Sequence, residues 1–169
     1  MIHDQNPFAE DPADRDPVRR FRGRLTAPVT VVTSGTDTDR AGLTVASLIV
    51  MEGEPGLLEM VVGPSSDLWG MISQTGRFVV HVCRKTDRHL AEVFAGLRPN
   101  PGGVFAGVAV EASDWGPVLV DVGERAYCSQ IEHEEVGHTG LIRGRVDRVD
   151  LGDLTDPLVY FRGRYHGLS

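Results

Sequence analysis

The stretch VVGPSSDLWGM, residues 61–71, joins the end of one element to the start of another. Two valines lead into a Gly-Pro pair, which ends an extended run because proline cannot donate a hydrogen bond to a β-ladder. Ser65 and Ser66 then precede an apolar helical pattern that continues to Thr75 and stops at Gly76. The stretch therefore predicts a buried strand that passes into a serine-capped helix.

Short runs rich in β-branched residues lie on both sides of this stretch, most of them bounded by Gly, Pro or Asp. A second helix is predicted from Thr86, its cap, to Ala95, and a short amphipathic helix begins at Pro17 after an Asp16 cap. Strands dominate and the helices lie in their connections, so the pattern favours an antiparallel β-barrel with helices on its outside. The predicted strands are residues 28–35, 42–50, 56–63, 77–83, 117–122, 124–135, 138–151 and 157–165.

The first sixteen residues form a separate segment by composition. They contain two prolines and no hydrophobic period, and their acidic residues are Asp4, Glu10, Asp11, Asp14 and Asp16. Such a composition is typical of a flexible arm, which we expect over residues 1–16. The remaining residues, 17–169, are enough for one well-buried core and too few for two, so we expect a single domain there.

The chain has a formal net charge of −7 and a pI of about 5.3. Broad attraction to nucleic acid or to an anionic membrane surface is therefore not expected. No apolar run reaches the roughly 20 residues of a spanning helix, and the N-terminus is acidic where a signal peptide is basic. We expect a cytoplasmic protein that binds small molecules, with Cys83 and Cys128 as small buried side chains. A single bridge between the two cysteines remains an alternative.

The segment HEEVGH, residues 133–138, resembles a zinc protease motif only superficially. That motif places two histidines four apart on one face of a helix, whereas His133 and His138 are five apart, with Gly137 between them and strand-like segments on either side. We expect a charged hairpin tip and no metal site.

Two other segments invite a functional interpretation. Small and polar residues, Thr44, Ala46 and Ser47, lie among aliphatic residues in a predicted strand, where they would let a flat ligand approach the backbone. The alternative is structural, since threonine is a good strand former and alanine fills cores.

The second segment is the closing DPLVYFRGRYHGLS, residues 156–169. If it is extended, one face carries Tyr160, Arg162, Arg164 and His166, and the other carries Phe161, Gly163 and Tyr165. So strong a pattern near a chain end favours a docked segment or a site, with a solvated edge strand as the alternative.

Together these segments resemble the flavin reductase family, the split-barrel flavin-binding proteins that include the small reductase partners of two-component monooxygenases. The resemblance covers residues 21–168, nearly the whole chain after the arm. It is carried by five segments in order, GLTVAS (42–47), GPSSDLWGMI (63–72), TGRFVVHV (75–82), HLAEVFAG (89–96) and PLVYFRGRYHGL (157–168).

The resemblance implies a mainly β, antiparallel, Greek-key-like split barrel with short flanking helices, which forms a homodimer and holds FMN or FAD near the subunit interface. In the family, the segment matching 44–47 lines the isoalloxazine and ribityl, and the segment matching 65–68 meets the phosphate. His166 is assigned a catalytic position beside the nicotinamide or flavin, and His138 and Tyr165 are assigned to the substrate. The implied cofactor-binding residues are Thr44, Val45, Ala46, Ser47, Gly63, Ser65, Ser66, Asp67, Phe94 and Arg162.

One position departs from the family pattern. Many relatives have a basic residue and a threonine where this chain has Asp67 and Leu68, and an aspartate beside a phosphate dianion is unfavourable. Either Asp67 points away while Arg88, Arg162 or Arg164 supplies the cation, or flavin affinity is low. The phosphate itself would meet a helix N-terminus that Ser65 or Ser66 also caps.

The function implied by the resemblance is hydride transfer from NADH or NADPH to flavin, with reduced flavin supplied to a partner monooxygenase. The cofactors carry this chemistry and the protein orients them, so no catalytic triad is needed. Two other readings stay open, a non-catalytic flavin or deazaflavin binder and a structural split barrel with an empty cleft. Loss of flavin affinity on Ser66→Ala or Thr44→Val is expected if the cofactor lies where the resemblance places it.

Overall fold

A computed structural model describes residues 16–169 of the chain. Except for Asp16, the arm expected over residues 1–16 lies outside the described residues. No helix within 16–169 has both the length and the apolar character to cross a lipid bilayer.

The described chain is mainly β, with helices confined to a few connections. The helices are α1 (Pro17–Arg22), α2 (Asp67–Thr75) and α3 (Arg88–Phe94), and a 3-10 turn (Lys85–Asp87) leads into α3. The first six strands are β1 (Ala27–Pro28), β2 (Thr30–Gly35), β3 (Arg40–Val45), β4 (Leu48–Met51), β5 (Leu57–Val62) and β6 (Arg77–Val82). The last six are β7 (Val110–Glu111), β8 (Val118–Leu119), β9 (Arg125–Val136), β10 (Thr139–Asp150), β11 (Val159–Phe161) and β12 (Arg164–His166).

Seven strands form one antiparallel sheet in the order β3-β2-β6-β9-β10-β5-β4. Its outermost strands, β3 and β4, are consecutive in the chain and are joined by Ala46 and Ser47 alone. The α-carbons of Val45 and Leu48 therefore lie within about 11 Å of each other, whereas the outer strands of a flat seven-stranded sheet are about 29 Å apart. The sheet must therefore curl until its edges approach. Just before β4, the β4–β5 pairing continues by one position, where the Val61 N–H donates to the Ser47 carbonyl over 2.9 Å. The predicted antiparallel split barrel is thus confirmed.

The concave side of the curled sheet is filled by one apolar cluster, to which α2 contributes Leu68, Trp69 and Ile72. Helix α2 packs closely on the sheet because Gly140 has no side chain. A Cβ there would lie 2.1 Å from the Trp69 ring. The sheet residues of the cluster are Val32, Val45, Leu58, Met60, Val62, Phe78, Val80, Cys128 and Ile142.

A second apolar cluster lies on the opposite face of β2, so this strand is buried on both sides. Val29 and Val31 face it, α3 covers it, and Leu158 closes it from the start of the C-terminal hairpin. Strands β11 and β12 form that hairpin and pair with β1 in a separate three-stranded sheet. The C-terminal residues are thereby attached to the barrel beside the start of β2.

Several predicted local features are confirmed. Asp16 accepts the Val18 N–H at the start of α1, and Gly76 ends α2 in a left-handed conformation. Segment 133–138 lies at the end of the β9–β10 hairpin, as predicted. Cys83 and Cys128 are both buried and free, and burial raises the pKa of each thiol to about 12.

Three boundaries predicted for the part of the chain before β9 are wrong. The strand predicted over 42–50 is broken into β3 and β4 because the chain crosses between the sheet edges at Ala46 and Ser47. Helix α3 begins after Thr86, because Asp87 accepts the Arg84 N–H and orders a 3-10 turn there. The strand predicted over 117–122 is limited to β8, which pairs only with the two-residue β7.

His81 on β6 joins three segments of the core. Its Nδ1–H donates to the Val31 carbonyl, and its Nε2 accepts the Leu119 N–H, each over 3.0 Å. The ring is fully buried, and burial lowers its pKa from 6.5 to about 4, with a smaller contribution from the charge of Arg125. The bond from the Leu119 N–H requires the neutral imidazole, because a protonated ring has no acceptor.

We predict that His81 makes the fold sensitive to mild acid. Between its unfolded pKa near 6.5 and its folded pKa of about 4, only the unfolded chain takes up the proton. The free energy of unfolding should therefore fall by up to about 3 kcal/mol as the pH is lowered through this window. Urea unfolding at a series of pH values measures it. His81→Gln should flatten the curve, and the exposed His89→Gln should not; equal curves for wild type and His81→Gln would contradict the prediction.

Candidate functional site

A cleft of about 690 Å³ lies where the two edges of the large sheet meet. Its size is in the range of small-molecule sites. Four parts of the chain form its walls, namely the β3–β4 connection, the end of β5, the segment around α1 and the turn of the C-terminal hairpin. The lining residues are Arg19, Arg20, Arg22, Gly23, Arg24, Leu25, Ala27, Leu43, Thr44, Val45, Ala46, Ser47, Val61, Val62, Gly63, Tyr160, Arg162 and Gly163.

The wall built from the β3–β4 connection is made of small residues. Ala46 and Ser47 lie outside both strands, so a ligand there approaches main chain instead of bulky side chains. Gly63 continues this wall, with open space where a Cβ would be. Thr44 contributes less than predicted, because its hydroxyl donates to the Ala91 carbonyl of α3 over 2.7 Å. Val45 is buried in the barrel core.

The start of α2 is organised around Ser66. Its hydroxyl accepts the Trp69 N–H over 3.2 Å and donates to the Gly63 carbonyl over 2.7 Å. Ser66 is thus the N-cap, and it fixes the helix start against the cleft wall at Gly63. Ser65 and Asp67 are exposed beside it and, like Ser66, are not among the residues that line the cleft.

The closing segment is a tight hairpin and not one extended strand. The chain reverses at Arg162 and Gly163, where both residues have positive φ, 49° and 78°. Tyr160 therefore pairs with Tyr165 on one face, with ring centroids 5.3 Å apart. The prediction that Tyr160 shares a face with His166 is wrong because the turn changes the alternation.

The other predicted residues of this hairpin differ in exposure. Tyr165 is half-buried, and burial, together with the nearby Tyr160, raises the pKa of its hydroxyl to about 12, so the phenol is neutral at pH 7. His166 is exposed, with its ring centroid 6.4 Å from that of Phe161. Arg162 lines the cleft, whereas Arg164 does not.

Two predicted site residues lie away from the cleft in this chain. Phe94 is fully buried in the second apolar cluster, edge-on to Phe105 at 5.1 Å. His138 is exposed at the end of the β9–β10 hairpin. Arg88, one of the cations considered for a phosphate, pairs instead with Glu92 on α3 over 2.8 Å.

Sequence reasoning missed the arginines around α1. Arg19, Arg20, Arg22 and Arg24 line the cleft together with Arg162, and no acidic residue is among the described lining residues. The available signal was the run RRFRGR, residues 19–24, which is strongly basic in a chain of net charge −7. The cleft thus combines small residues along one wall with positive charge along another.

Comparisons with known proteins agree with this geometry. A model of the flavin reductase like domain matches residues 22–169, and the chain therefore belongs to that family. The NADH-dependent FMN reductase AsuE2 of Streptomyces nodosus subsp. asukaensis is 30% identical over 171 residues, which cover 99% of this chain and 91% of the relative.

Two further proteins connect the family to two-component enzymes and to the fold. The reductase component of 4-hydroxyphenylacetate 3-monooxygenase from Thermus thermophilus is 28% identical over 145 residues, 86% of this chain and 91% of the relative. Among solved structures, the flavin reductase PheA2 in its native state superposes with a TM-score of 0.80 at 25% identity and covers 92% of this chain and 99% of its own.

We predict that Ser66 stabilises the fold through its cap. Ser66→Ala should lower the free energy of unfolding by about 1 kcal/mol because the Trp69 N–H loses its acceptor. Ser66→Asp should lie between Ser66→Ala and wild type, since aspartate also caps the helix but cannot donate to the Gly63 carbonyl. Ser65→Ala, at an exposed neighbour, is the control. Urea unfolding at neutral pH measures all three, and equal stability of Ser66→Ala and Ser65→Ala would contradict the role given to Ser66.

Proposed function

We propose that this protein is an NADH-dependent flavin reductase that reduces FMN and supplies reduced flavin to a partner monooxygenase. FAD is the alternative flavin, and NADPH is the alternative hydride donor. The observation that carries the proposal is the cleft at the sheet edges, which lies in a chain of the flavin reductase like family. Flavins and nicotinamide dinucleotides both join a flat ring to an anionic tail, which such a cleft can accommodate.

The residues of the cleft fit such ligands. Small residues at Ala46, Ser47 and Gly63 leave room for a ring system against the main chain. The positive wall suits phosphate groups, and the start of the nine-residue helix α2 offers N–H groups and a positive dipole end close to Gly63. Asp67 is exposed at that helix start, where it is a favourable first-turn charge.

A flavin held in this cleft would supply the chemistry of hydride acceptance, and the residues of the cleft would hold it in position against the nicotinamide. Ala46 and Ser47 line the cleft between β3 and β4, and we assign their N–H groups to the edge of the flavin ring, where they would stabilise negative charge. Tyr160 and the Arg162–Gly163 turn close the opposite side and limit the access of water. His166, exposed on the hairpin, retains only a positioning role beside the nicotinamide.

A second candidate is a flavin or deazaflavin binder without reductase activity. The observation that favours it is Asp67, an exposed negative charge one residue after the Ser66 cap of α2. It would reduce affinity for a phosphate at the start of α2. Weak affinity also suits an enzyme that releases its flavin after each turnover, so binding strength alone does not separate the two candidates.

Anaerobic mixing with FMN and NADH separates them. We expect loss of the visible flavin absorbance with many turnovers per protein molecule. Replacing FMN with FAD measures the flavin preference, and replacing NADH with NADPH measures the preference for the hydride donor. A bound flavin spectrum without bleaching would instead indicate the binder, and no spectral change would contradict both. Ala46→Phe, which fills the small-residue wall, should lower kcat/KM for FMN by about tenfold or more. The exposed Ala109→Phe, outside the cleft, is the matched control.

We also propose that the protein is a cytoplasmic homodimer. Two free buried thiols suit a reducing compartment. Strand β4 is an edge of the large sheet, and its Ile49 and Val50 are 58% and 63% exposed. Val61, which lines the cleft, is also partly exposed, so apolar surface continues from the edge strand to the cleft. An exposed apolar edge of this kind is typical of an interface, and a second subunit here would complete the cleft wall.

The dimer is testable by light scattering coupled to size-exclusion chromatography. The wild type should have about twice the chain mass of 18.4 kDa. Ile49→Asp should give a monomer, because a charge would be buried without a partner in the interface. Leu97→Asp, at a position of similar exposure in the loop after α3, should leave the dimer intact. A monomeric wild type, or a dimer that Ile49→Asp leaves unchanged, would contradict the proposal.

A further inference from the structure

Four of the arginines that line the cleft, Arg20, Arg22, Arg24 and Arg162, have no carboxylate partner among the residues that the structure describes. Within residues 16–169, no ion pair involves the guanidinium of Arg20, Arg22, Arg24 or Arg162. Six arginines outside the cleft do form ion pairs, namely Arg84 with Asp87, Arg88 and Arg98 with Glu92, Arg143 with Glu59 and Glu132, Arg145 with Asp147, and Arg148 with Asp150.

This concentration of charge is opposite in sign to that of the whole chain. The net charge of −7 repels a dinucleotide at long range, but screening limits this repulsion to about 8 Å at physiological salt. Inside the cleft, the local field of the Arg20, Arg22, Arg24 and Arg162 guanidinium groups dominates and attracts phosphate. Arginine also binds phosphate oxygens with two parallel hydrogen bonds, which gives orientation as well as affinity.

Arg162 occupies a backbone position that does not favour arginine. It is the one residue other than glycine with a positive φ in the described chain, and it shares a two-residue hairpin turn with Gly163. Turns of this kind prefer Asn-Gly, because arginine in a left-handed conformation is strained. Strained residues concentrate at functional sites, so the side chain rather than the turn explains the arginine.

The same turn is attached to the segment that carries the other arginines. The Arg162 N–H donates to the Gly23 carbonyl over 3.0 Å, and Gly23 directly follows α1. This bond holds the Arg162 side of the cleft against the α1 side. The two sources of positive charge therefore face one ligand and act as one site.

We infer that Arg162 and the α1 arginines Arg20, Arg22 and Arg24 form a subsite for the diphosphate of the nicotinamide dinucleotide. This inference rests on the proposed function and adds the residues that recognise the hydride donor. The phosphate of the flavin is assigned separately to the start of α2, across the small-residue wall. A diphosphate carries two negative charges within a few ångströms, which matches several arginines better than one.

The test compares binding of NAD⁺, FMN and riboflavin to the full-length chain by calorimetry, alongside steady-state kinetics with NADH. Arg162→Asn should weaken NAD⁺ binding and raise the KM for NADH by about tenfold, because one charge-assisted contact with phosphate is lost. Its FMN affinity should stay within about twofold. Its thermal stability should match or exceed that of wild type, because asparagine suits the turn. Arg162→Lys should retain most of the charge-dependent affinity.

A variant with Arg20, Arg22 and Arg24 all replaced by Gln tests the second half of the site. Helix α1 has no buried residue and glutamine is a good helix former, so the barrel should still fold. We expect weaker NAD⁺ binding and a shallower dependence of KM on salt. Arg145→Gln, which also removes one positive charge but lies outside the cleft, should behave as wild type.

Two outcomes would overturn the inference. One is wild-type NAD⁺ affinity in both Arg162→Asn and the triple variant. The other is a loss of FMN affinity, with riboflavin and NAD⁺ unaffected, which would assign these arginines to the flavin phosphate. Failure of the proposed function is seen separately, as wild-type protein that does not bleach FMN, whereas the NAD⁺ titration still reports on the arginines.

Discussion

The two-residue connection between β3 and β4 is the constraint on which the rest of the structure depends. Because these strands are the opposite edges of one seven-stranded sheet, so short a connection forces the sheet to curl. Where the edges meet, Ala46 and Ser47 leave main chain exposed along one wall of a cleft. The fold and the site of this flavin reductase thus have one origin, since the residues that close the barrel also bound the ligand space.

Local chemistry made much of the fold predictable. Caps and stops act over three or four residues, so Ser66 and Gly76 defined α2 closely, and β-branched runs located most strands. Features that depend on tertiary geometry were not visible in this way. Nothing near Ala46 in the sequence indicates that its neighbours belong to opposite edges of a sheet. The turn at Arg162 and Gly163 places Tyr160 and His166 on opposite faces of the hairpin, whereas strict alternation along one strand predicted a shared face. Gly163 was the sequence signal for this turn.

Part of the candidate site was predicted, namely the part whose residues are close together in the sequence. Small residues on one continuous segment, Thr44 to Ser47, were found because neighbours in sequence are neighbours in the cleft. The basic wall was missed because it combines residues near the N-terminus with Arg162 near the C-terminus. Phe94 was assigned to the cofactor because its segment resembles the family, but its side chain lies in the second apolar cluster. There, Gly42 has no side chain, so the Phe94 ring can pack against β3.

Helix α1 has no buried side chain, although Val18 and Phe21 give it an apolar character. A segment held with so little apolar contact opens locally at a small fraction of the global unfolding free energy. One side of the cleft is thus intrinsically labile while the barrel beneath it stays rigid.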